Sequence, residues 1–401
     1  MNQKLNLSSG PHIRDRWSTP FIMGVVLLAM LPTAVVGVVV NGLHALWIIL
    51  VAMGSAFLTE LVFDLVCKRP RTYLDGSALV TGLMLALTLS PTVPLWIPAI
   101  GSIFAILVVK CCFGGLGKNF INPALAARCF LLLSFTGVMT DFSVDGVTAA
   151  TPVAELAAGH AVNITQMFLG TTNGVIGSSV LALLIGGLIL WAFDFIHGEI
   201  CFSVLGMFTL VIGLFGGQGF NVPFLLAHLC GGGVIMGAFF MATDYVTSPV
   251  SKRGQAVYGM LIGLLGALFR LYGGTADSFS YCVITGNLFT PLIDTYIVAK
   301  PYAYRKLEMA RRRAASGEHW YMMIPKPVLA LGVIAVVAGV ALSGVFSMTK
   351  DTIEAQQRAA QAASYLAVCP DADRVEVDEA IDKAVAALNG EVYGTEFGRV
   401  R

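Results

Sequence analysis

The sequence predicts an all-α polytopic membrane protein: ten transmembrane helices in two inverted five-helix repeats with short or broken members, plus an eleventh C-terminal helix. The first observation is composition. Of 401 residues, 56% are hydrophobic and only 12% charged, against about 25% charged in a soluble domain. With a mean hydropathy of +0.78, the chain owns too few polar side chains to cover a water-facing surface. The second is a series of long apolar runs, which in lipid read as helices because a spanning helix satisfies all its own backbone groups. The third is a distribution of Lys and Arg that follows the positive-inside rule.

The spans run from Phe21 to Val40, Leu43 to Val66, Gly76 to Leu89, Leu95 to Val109 and Pro123 to Val138 in the first half. In the second half they run from Ile176 to Phe195, Phe202 to Phe215, Pro223 to Met241, Gly254 to Leu271 and Ser280 to Val298, with an extra span from Val328 to Phe346. The expected organisation is a cytoplasmic N-terminus (1–20), a first repeat (21–138), an external loop (139–175) and a second repeat (176–299). A basic cytoplasmic linker (300–326), the extra helix (327–347) and an external amphipathic tail (348–401) complete it.

Orientation follows from charge. Lys68, Arg69 and Arg71 follow helix two, Lys110 and Lys118 follow helix four, and Lys252 and Arg253 follow helix eight. Lys300, Arg305, Lys306 and Arg311 to Arg313 follow helix ten. These exits lie inside, whereas the loop from Thr140 to Asn173, with Asp141, Asp145, Glu155 and no Lys or Arg, lies outside. Lys4, Arg14 and Arg16 precede a long first helix without a cleavage-like small-residue site, so the N-terminus reads as a cytoplasmic start.

Two spans are irregular. Helix three begins at Asp75-Gly76 and ends at Pro91, too short for a full crossing; helix eight is interrupted at Gly231-Gly232-Gly233 ahead of Thr243, Asp244, Thr247 and Ser248. Asn119-Phe-Ile-Asn-Pro123 and Asn287-Leu-Phe-Thr-Pro291 echo one another. Five helices is an odd number, so consecutive halves enter the membrane from opposite faces, as in transporters with inverted repeats.

Composition also narrows function. A net charge of +1 supplies no basic field for nucleic acid. Eight cysteines without CxxC spacing point to packing and to neither a zinc site nor a disulfide framework. The six histidines show no ligand spacing. Glu60, Asp64 and Lys68, at i, i+4 and i+8, read as a structural pairing at the inner interface ahead of an ion path. Phe113-Gly-Gly-Leu-Gly117 lacks the GK[ST] ending of a phosphate loop and reads as a tight turn. Asp75, Asn119, Asn122, Asp244 and Asn287 suit a midplane cavity for a cation or a noncovalent organic ligand; helix capping and bundle hydrogen bonds explain them equally well. Arg128 and Arg270 suit pairing with carboxylates or phosphate, with snorkelling the default for Arg270.

In the external loop stands Asp145-Gly146-Val-Thr148-Ala-Ala-Thr151-Pro152-Val-Ala-Glu155. Local sequence alone favours a capping box, with Thr151 as cap, Pro152 at N1 and Glu155 closing it. The small neighbours equally leave the Thr151 hydroxyl open to a bulky modification.

Together with YLDGSALVTG, FGGLGKNFINPA, GAFFMATDYVTSPVSKRG and GNLFTPLID, this loop makes residues 15–300 resemble the RnfD components of Rnf electron-transport complexes. More distantly they resemble the second component of the sodium-translocating NADH:quinone reductase. The resemblance implies that Thr151 carries FMN through a phosphodiester bond, within a recognition motif of Asp145, Gly146 and Thr148, installed by a dedicated flavin transferase after export. Ala149 stands where Gly or Ser is more frequent. The resemblance further implies partners in the other Rnf proteins (RnfA, RnfB, RnfC, RnfE and RnfG), a second noncovalent flavin such as riboflavin as an option, and ferredoxin:NAD oxidoreduction coupled to Na⁺ or H⁺ translocation across the plasma membrane. The chain itself contains no NAD or ferredoxin site motif. From about Lys326 the sequence resembles the start of RnfG, which suggests an incomplete fusion of RnfD with RnfG or a borrowed anchor; an ordinary extra helix with an amphipathic tail is the plainer alternative. A redox-inactive channel or transporter for a small solute, or a scaffold protein, are the rival functions.

Overall fold

The computed structural model describes residues 17–69, 72–142, 152–157, 162–172, 174–273 and 279–297. Asp145, Gly146, Thr148 and Thr151 lie outside the described residues, as do the N-terminal cations, the basic linker, the eleventh helix and the tail.

Among the described residues the protein is entirely helical. Two long helices, α1 (Thr19–Asn41) and α2 (Leu43–Val66), are separated only by Gly42, whose φ of +78° turns the chain. A 3₁₀ turn, Thr72–Asp75, leads into α3 (Ser77–Leu87). The next helix, α4 (Trp96–Ile103), continues as a wider π-wound stretch, Phe104–Cys111. Asn122 then caps α5 (Pro123–Ser134), accepting from Ala124 N at 3.0 Å, with Pro123 at the first helical position where its missing N–H costs nothing.

Three short helices follow: α6 (Thr136–Met139), α7 (Pro152–Ala157) and α8 (Ile164–Leu169). The second half holds α9 (Val180–Ala192), α10 (Gly198–Phe215), α11 (Val222–Cys230), α12 (Val234–Met236, continuing π-wound through Met241), α13 (Lys252–Tyr272) and α14 (Phe279–Tyr296).

Among the described residues, only α1, α2, α10 and α13 are long and apolar enough to cross a membrane alone; α11 and α12, bent by 67° at the glycine run, make a fifth span if taken together. Three of the other expected spans, the third, fifth and sixth, are shorter than predicted. At 1.5 Å per residue, α3 with 11 residues, α5 with 12 and α9 with 13 each cover roughly half to two-thirds of a 30 Å hydrocarbon layer. Apolar side chains continue past their ends, which is why hydropathy extends spans that the backbone terminates. The two Asn-Pro echoes also take different forms: Pro123 opens α5, whereas Asn287 and Pro291 lie inside α14.

The outward faces of α1 and α2 expose Leu28, Val35, Val39, Leu58, Val62 and Val66, a surface suited to lipid and not to water. Inside, small residues let helices touch. A Cβ on Gly186 of α9 would strike the carbonyl oxygen of Ala29 in α1, and one on Gly263 of α13 would strike that of Val204 in α10.

Candidate functional site

Among the described residues, two clefts with polar side chains in their walls open between the helices. The first is lined by Thr88 at the end of α3, Arg128 of α5, Pro152 and Val153 of α7, Met167 of α8, Gly231 to Gly233 at the α11 break, and Phe279 and Ser280 of α14. Its cavity volume is about 70 Å³. Pro152 begins α7, where a capping-box reading places the helix start; the residue before it is Thr151.

The glycine break shapes one wall. Gly232 and Gly233 have φ of +62° and +70°, a left-handed backbone that glycine adopts without strain. Ending α11 there leaves carbonyls without helical donors. Arg270 of α13 meets them: Nη2 donates to the Gly231 oxygen at 3.0 Å and the Gly232 oxygen at 3.5 Å, and Nη1 to the His228 oxygen at 3.4 Å. Its guanidinium also stands 5.8 Å from the Phe208 ring centroid. Snorkelling is therefore replaced by a clamp on a half-helix C-terminus, where a cation is favoured.

Arg128 is 5% exposed, and its Nη1 donates to the Thr88 carbonyl oxygen. That joins α5 to the C-terminal end of α3.

The second cleft lies against the other end of α3. Its lining includes Ser77, Lys110, Asn119, Asn122, Thr243 and Asp244, so three of the five candidate polar residues meet there. Asp244 accepts from Val246 N at 3.2 Å and from the Thr247 hydroxyl at 3.3 Å. Asn122 caps α5 and donates to the Met241 oxygen at 3.4 Å, tying the two halves together. Asn119 Nδ2 donates to the Ile121 oxygen at 3.1 Å, while its buried Oδ1 has no hydrogen-bond partner among the described residues. Asp75 accepts from Ser77 N at 2.8 Å and from the Ser77 hydroxyl, as a helix-start carboxylate does. Asn287 is placed elsewhere: its Oδ1 accepts from the Tyr258 hydroxyl at 2.6 Å.

The expected pairing among Glu60, Asp64 and Lys68 is not formed. Lys68 lies beyond the end of α2 with φ +50°, and Asp64 instead accepts from the backbone N–H groups of Thr72 at 2.9 Å and Tyr73 at 3.2 Å. Glu60 meets Lys110 at 2.6 Å, with the lysine 2% and the glutamate 1% exposed. Lys110 Nζ also donates to Ser77 Oγ at 2.6 Å, and the Thr72 hydroxyl bridges Asp64 (2.7 Å) and Glu60 (3.1 Å). Lys110, which the charge pattern places in an inner loop, is thus a core residue. The one sequence signal for this is its position inside the apolar run LVVKCC. Residues 113–117 form the expected turn, with positive φ at Gly114, Gly115 and Gly117.

Comparison with known proteins places the chain in a family. The model of the NQR2, RnfD, RnfE family matches residues 6–303, about three-quarters of the chain. The chain belongs to the NQR2, RnfD, RnfE family. Within that family it is 43% identical over 320 residues to the D component of the Na(+)-translocating ferredoxin:NAD(+) oxidoreductase complex of Acetobacterium woodii, covering 77% of this chain and 98% of that relative. It is 38% identical over 319 residues to the D component of the proton-translocating ferredoxin:NAD(+) oxidoreductase complex of Clostridium ljungdahlii, covering 75% and 96%. The D component of the ion-translocating oxidoreductase complex of Aliivibrio salmonicida shares 34% over 347 residues, covering 75% and 99%.

A second model, the RnfG N-terminal region, matches residues 322–368. The NQR2, RnfD, RnfE segment is therefore followed by an RnfG-like one, as the resemblance from about Lys326 implies, and the plainer reading of an unrelated extra helix is set aside.

Proposed function

We propose that this chain is the membrane component of an Rnf-type complex and relays electrons through FMN esterified to Thr151, coupling ferredoxin:NAD oxidoreduction to Na⁺ or H⁺ translocation. The observation that carries this reading is positional: Pro152 and Val153, directly after the motif threonine, line a cleft between the two halves of the bundle.

The lining side chains are of the kinds that contact a flavin. Met167, Met236, Met241 and Phe279 offer polarisable and aromatic surface for a planar ring, and Thr88, Ser178, Ser280 and Arg128 offer polar groups at its edges. Gly231 to Gly233 present backbone without side chains, which permits close approach. Bound there, FMN supplies one- and two-electron chemistry. The chain fixes where that chemistry happens: Arg270 holds the broken wall, and a covalent tether keeps the local concentration of flavin high between turnovers.

The finer architecture we propose is ten membrane segments in two inverted halves, α1 to α5 and α9 to α14 with α11 and α12 as one broken segment. Three features support it. Between halves, the first segments pack together (α1 with α9), as do the fifth (α5 with α14). Within halves, the second and fourth segments pack in each (α2 with α4, α10 with α13). The third segment is short in one half and bent by 67° in the other. This arrangement puts the flavin loop outside and the Asp244 cleft toward the cytoplasm. We assign the Asp244 cleft to the translocated cation, because the Asp244 carboxylate and the Asn119 and Asn122 amide oxygens are the hard oxygen ligands such ions take.

Peptide mass spectrometry on the chain purified from a host holding its flavin transferase tests the proposal. The expected result is an FMN adduct on the Thr151 peptide, absent in Thr151→Ala; an unmodified Thr151 contradicts it and leaves the channel and scaffold readings.

A further inference from the structure

Outside both clefts, α13 and α14 enclose a line of buried polar side chains: Gln255 and Tyr258 on the first helix, Asn287 and Thr290 on the second. Close contacts place them. A Cβ on Gly254 would meet Ile293 at 3.1 Å and one on Gly286 would meet Tyr258 at 3.0 Å, so Gln255 stands level with the stretch of α14 that carries Asn287 and Thr290. The segment leading into α13 closes a third side. Thr290 donates to the Thr247 carbonyl oxygen at 2.8 Å, and Gln255 Nε2 donates to that of Pro249 at 3.1 Å.

Two strong hydrogen-bonding atoms are left over at this junction. Gln255 Oε1 and Asn287 Nδ2 have no hydrogen-bond partner among the described residues, on side chains 2% and 1% exposed. Asn287 Oδ1 already accepts from the Tyr258 hydroxyl at 2.6 Å. Turning that amide over does not remove the orphan: its nitrogen would then donate to the Tyr258 oxygen, and its oxygen would be left instead. One orphan acceptor and one orphan donor, each costly to bury unpaired, are together the complement of a molecule that both donates and accepts. A metal cation would satisfy the oxygen and not the nitrogen. Water satisfies both, and buried polar groups are where water is held inside proteins.

The junction is also joined to Asp244. The Thr247 hydroxyl donates to the Asp244 carboxylate at 3.3 Å, and the carbonyl of the same Thr247 is the one that Thr290 holds. We propose that the junction between α13 and α14 binds water and serves as the polar support behind Asp244 during cation uptake and release; the proposal rests on the cation reading of the Asp244 cleft. A carboxylate that gains and loses a cation exchanges hydrogen bonds at each step. Hydroxyls and water turn to follow such changes, which fixed main-chain groups do not.

Radiolytic hydroxyl-radical footprinting of the whole complex in lipid nanodiscs tests the site, because radicals born from a bound water oxidise the side chain beside it. Tyr258 is fully buried, whereas Tyr272 is 73% exposed. In the wild type, peptide mass spectrometry is expected to find an added oxygen on Tyr258 at a dose that also oxidises Tyr272. Label from briefly added heavy-oxygen water should enter the Tyr258 product more slowly. In Asn287→Leu the Tyr258 product falls roughly tenfold, as losing one buried hydrogen bond to the water implies. An unmodified Tyr258 in the wild type overturns the proposal and depends on no variant folding.

In vesicles carrying the assembled complex, Asn287→Leu is expected to slow ion uptake while electron transfer continues. Uptake at the wild-type rate in that variant overturns the role behind Asp244. Unchanged uptake in Asp244→Asn, with Asn287→Leu still slowed, is the separate failure of the cation reading.

Discussion

Lys110 and Glu60, fifty residues apart in sequence, form an ion pair at 2.6 Å with both side chains almost wholly buried. The pair joins α2 to the π-wound end of α4, and through Ser77 it reaches the start of α3. Three helices therefore meet on one ammonium group, next to the cleft that holds Asp244.

Removing one member leaves the other charge buried. Lys110→Met should lower stability by about 3–5 kcal/mol, whereas the double variant Lys110→Met with Glu60→Leu should recover most of that loss, since a well-packed apolar pair replaces a buried ion pair at little cost. Thermal denaturation of the detergent-solubilised chain compares them. Equal destabilisation in the single and double variants would show that the charges are not coupled.

The clamp at the broken helix makes a separate prediction. Arg270→Leu removes three charge-assisted contacts to the His228, Gly231 and Gly232 oxygens, and should cost about 2–3 kcal/mol. Arg270→Lys keeps the charge but not the fork and should fall between. Protease sensitivity at residues 228–234 is the local readout: it rises in Arg270→Leu if the guanidinium holds the break closed.

Helix contacts through glycine are testable against internal controls. Gly186→Leu and Gly263→Leu drive side chains into the backbones of α1 and α10 and should each cost about 1–3 kcal/mol or more. Gly54→Ala and Gly206→Ala, where an added Cβ meets nothing within 4 Å, should be neutral or stabilising by up to about 1 kcal/mol through helix propensity. Thermal melts of the four variants rank them.

Asp244 separates ion movement from electron movement. Asp244→Asn retains an oxygen to accept from Val246 N and Thr247, so the fold and the flavin adduct should persist. In vesicles carrying the whole complex, electron transfer should continue while ion uptake falls at least tenfold. Unchanged uptake would remove Asp244 from the ion path.

How much of this is legible in the sequence depends on the length scale of the signal. Hydropathy and the positions of Asn122-Pro123 and the glycine run mark helix existence and the break at residues 231–233, because these signals are local. Helix ends are less legible: apolar side chains continue past Leu87, Ser134 and Ala192, so the backbone stops where hydropathy does not. The Lys110–Glu60 pair is hidden for a further reason. Glu60, Asp64 and Lys68 share a helical spacing that suggests a local partner, whereas the partner chosen lies on another helix and Lys68 falls beyond the end of α2. Asn119, Asn122 and Asp244 line one cleft, while Asn287, of the same residue type and apolar setting in sequence, pairs with Tyr258. Arg128 stands out in sequence as a cation in an apolar helix, but its place in a cleft wall beside Pro152 depends on the packing of α3, α5, α7 and α14.

The central claim is a covalent bond between Thr151 and a flavin, and flavin fluorescence that survives denaturing electrophoresis measures it most directly. Wild type, Thr151→Ala and Thr148→Ala are made in a host with the flavin transferase, with equal protein loaded by stain. A fluorescent wild-type band that vanishes in Thr151→Ala is the predicted result. A dark wild-type band, or one equally bright in Thr151→Ala, would contradict the account.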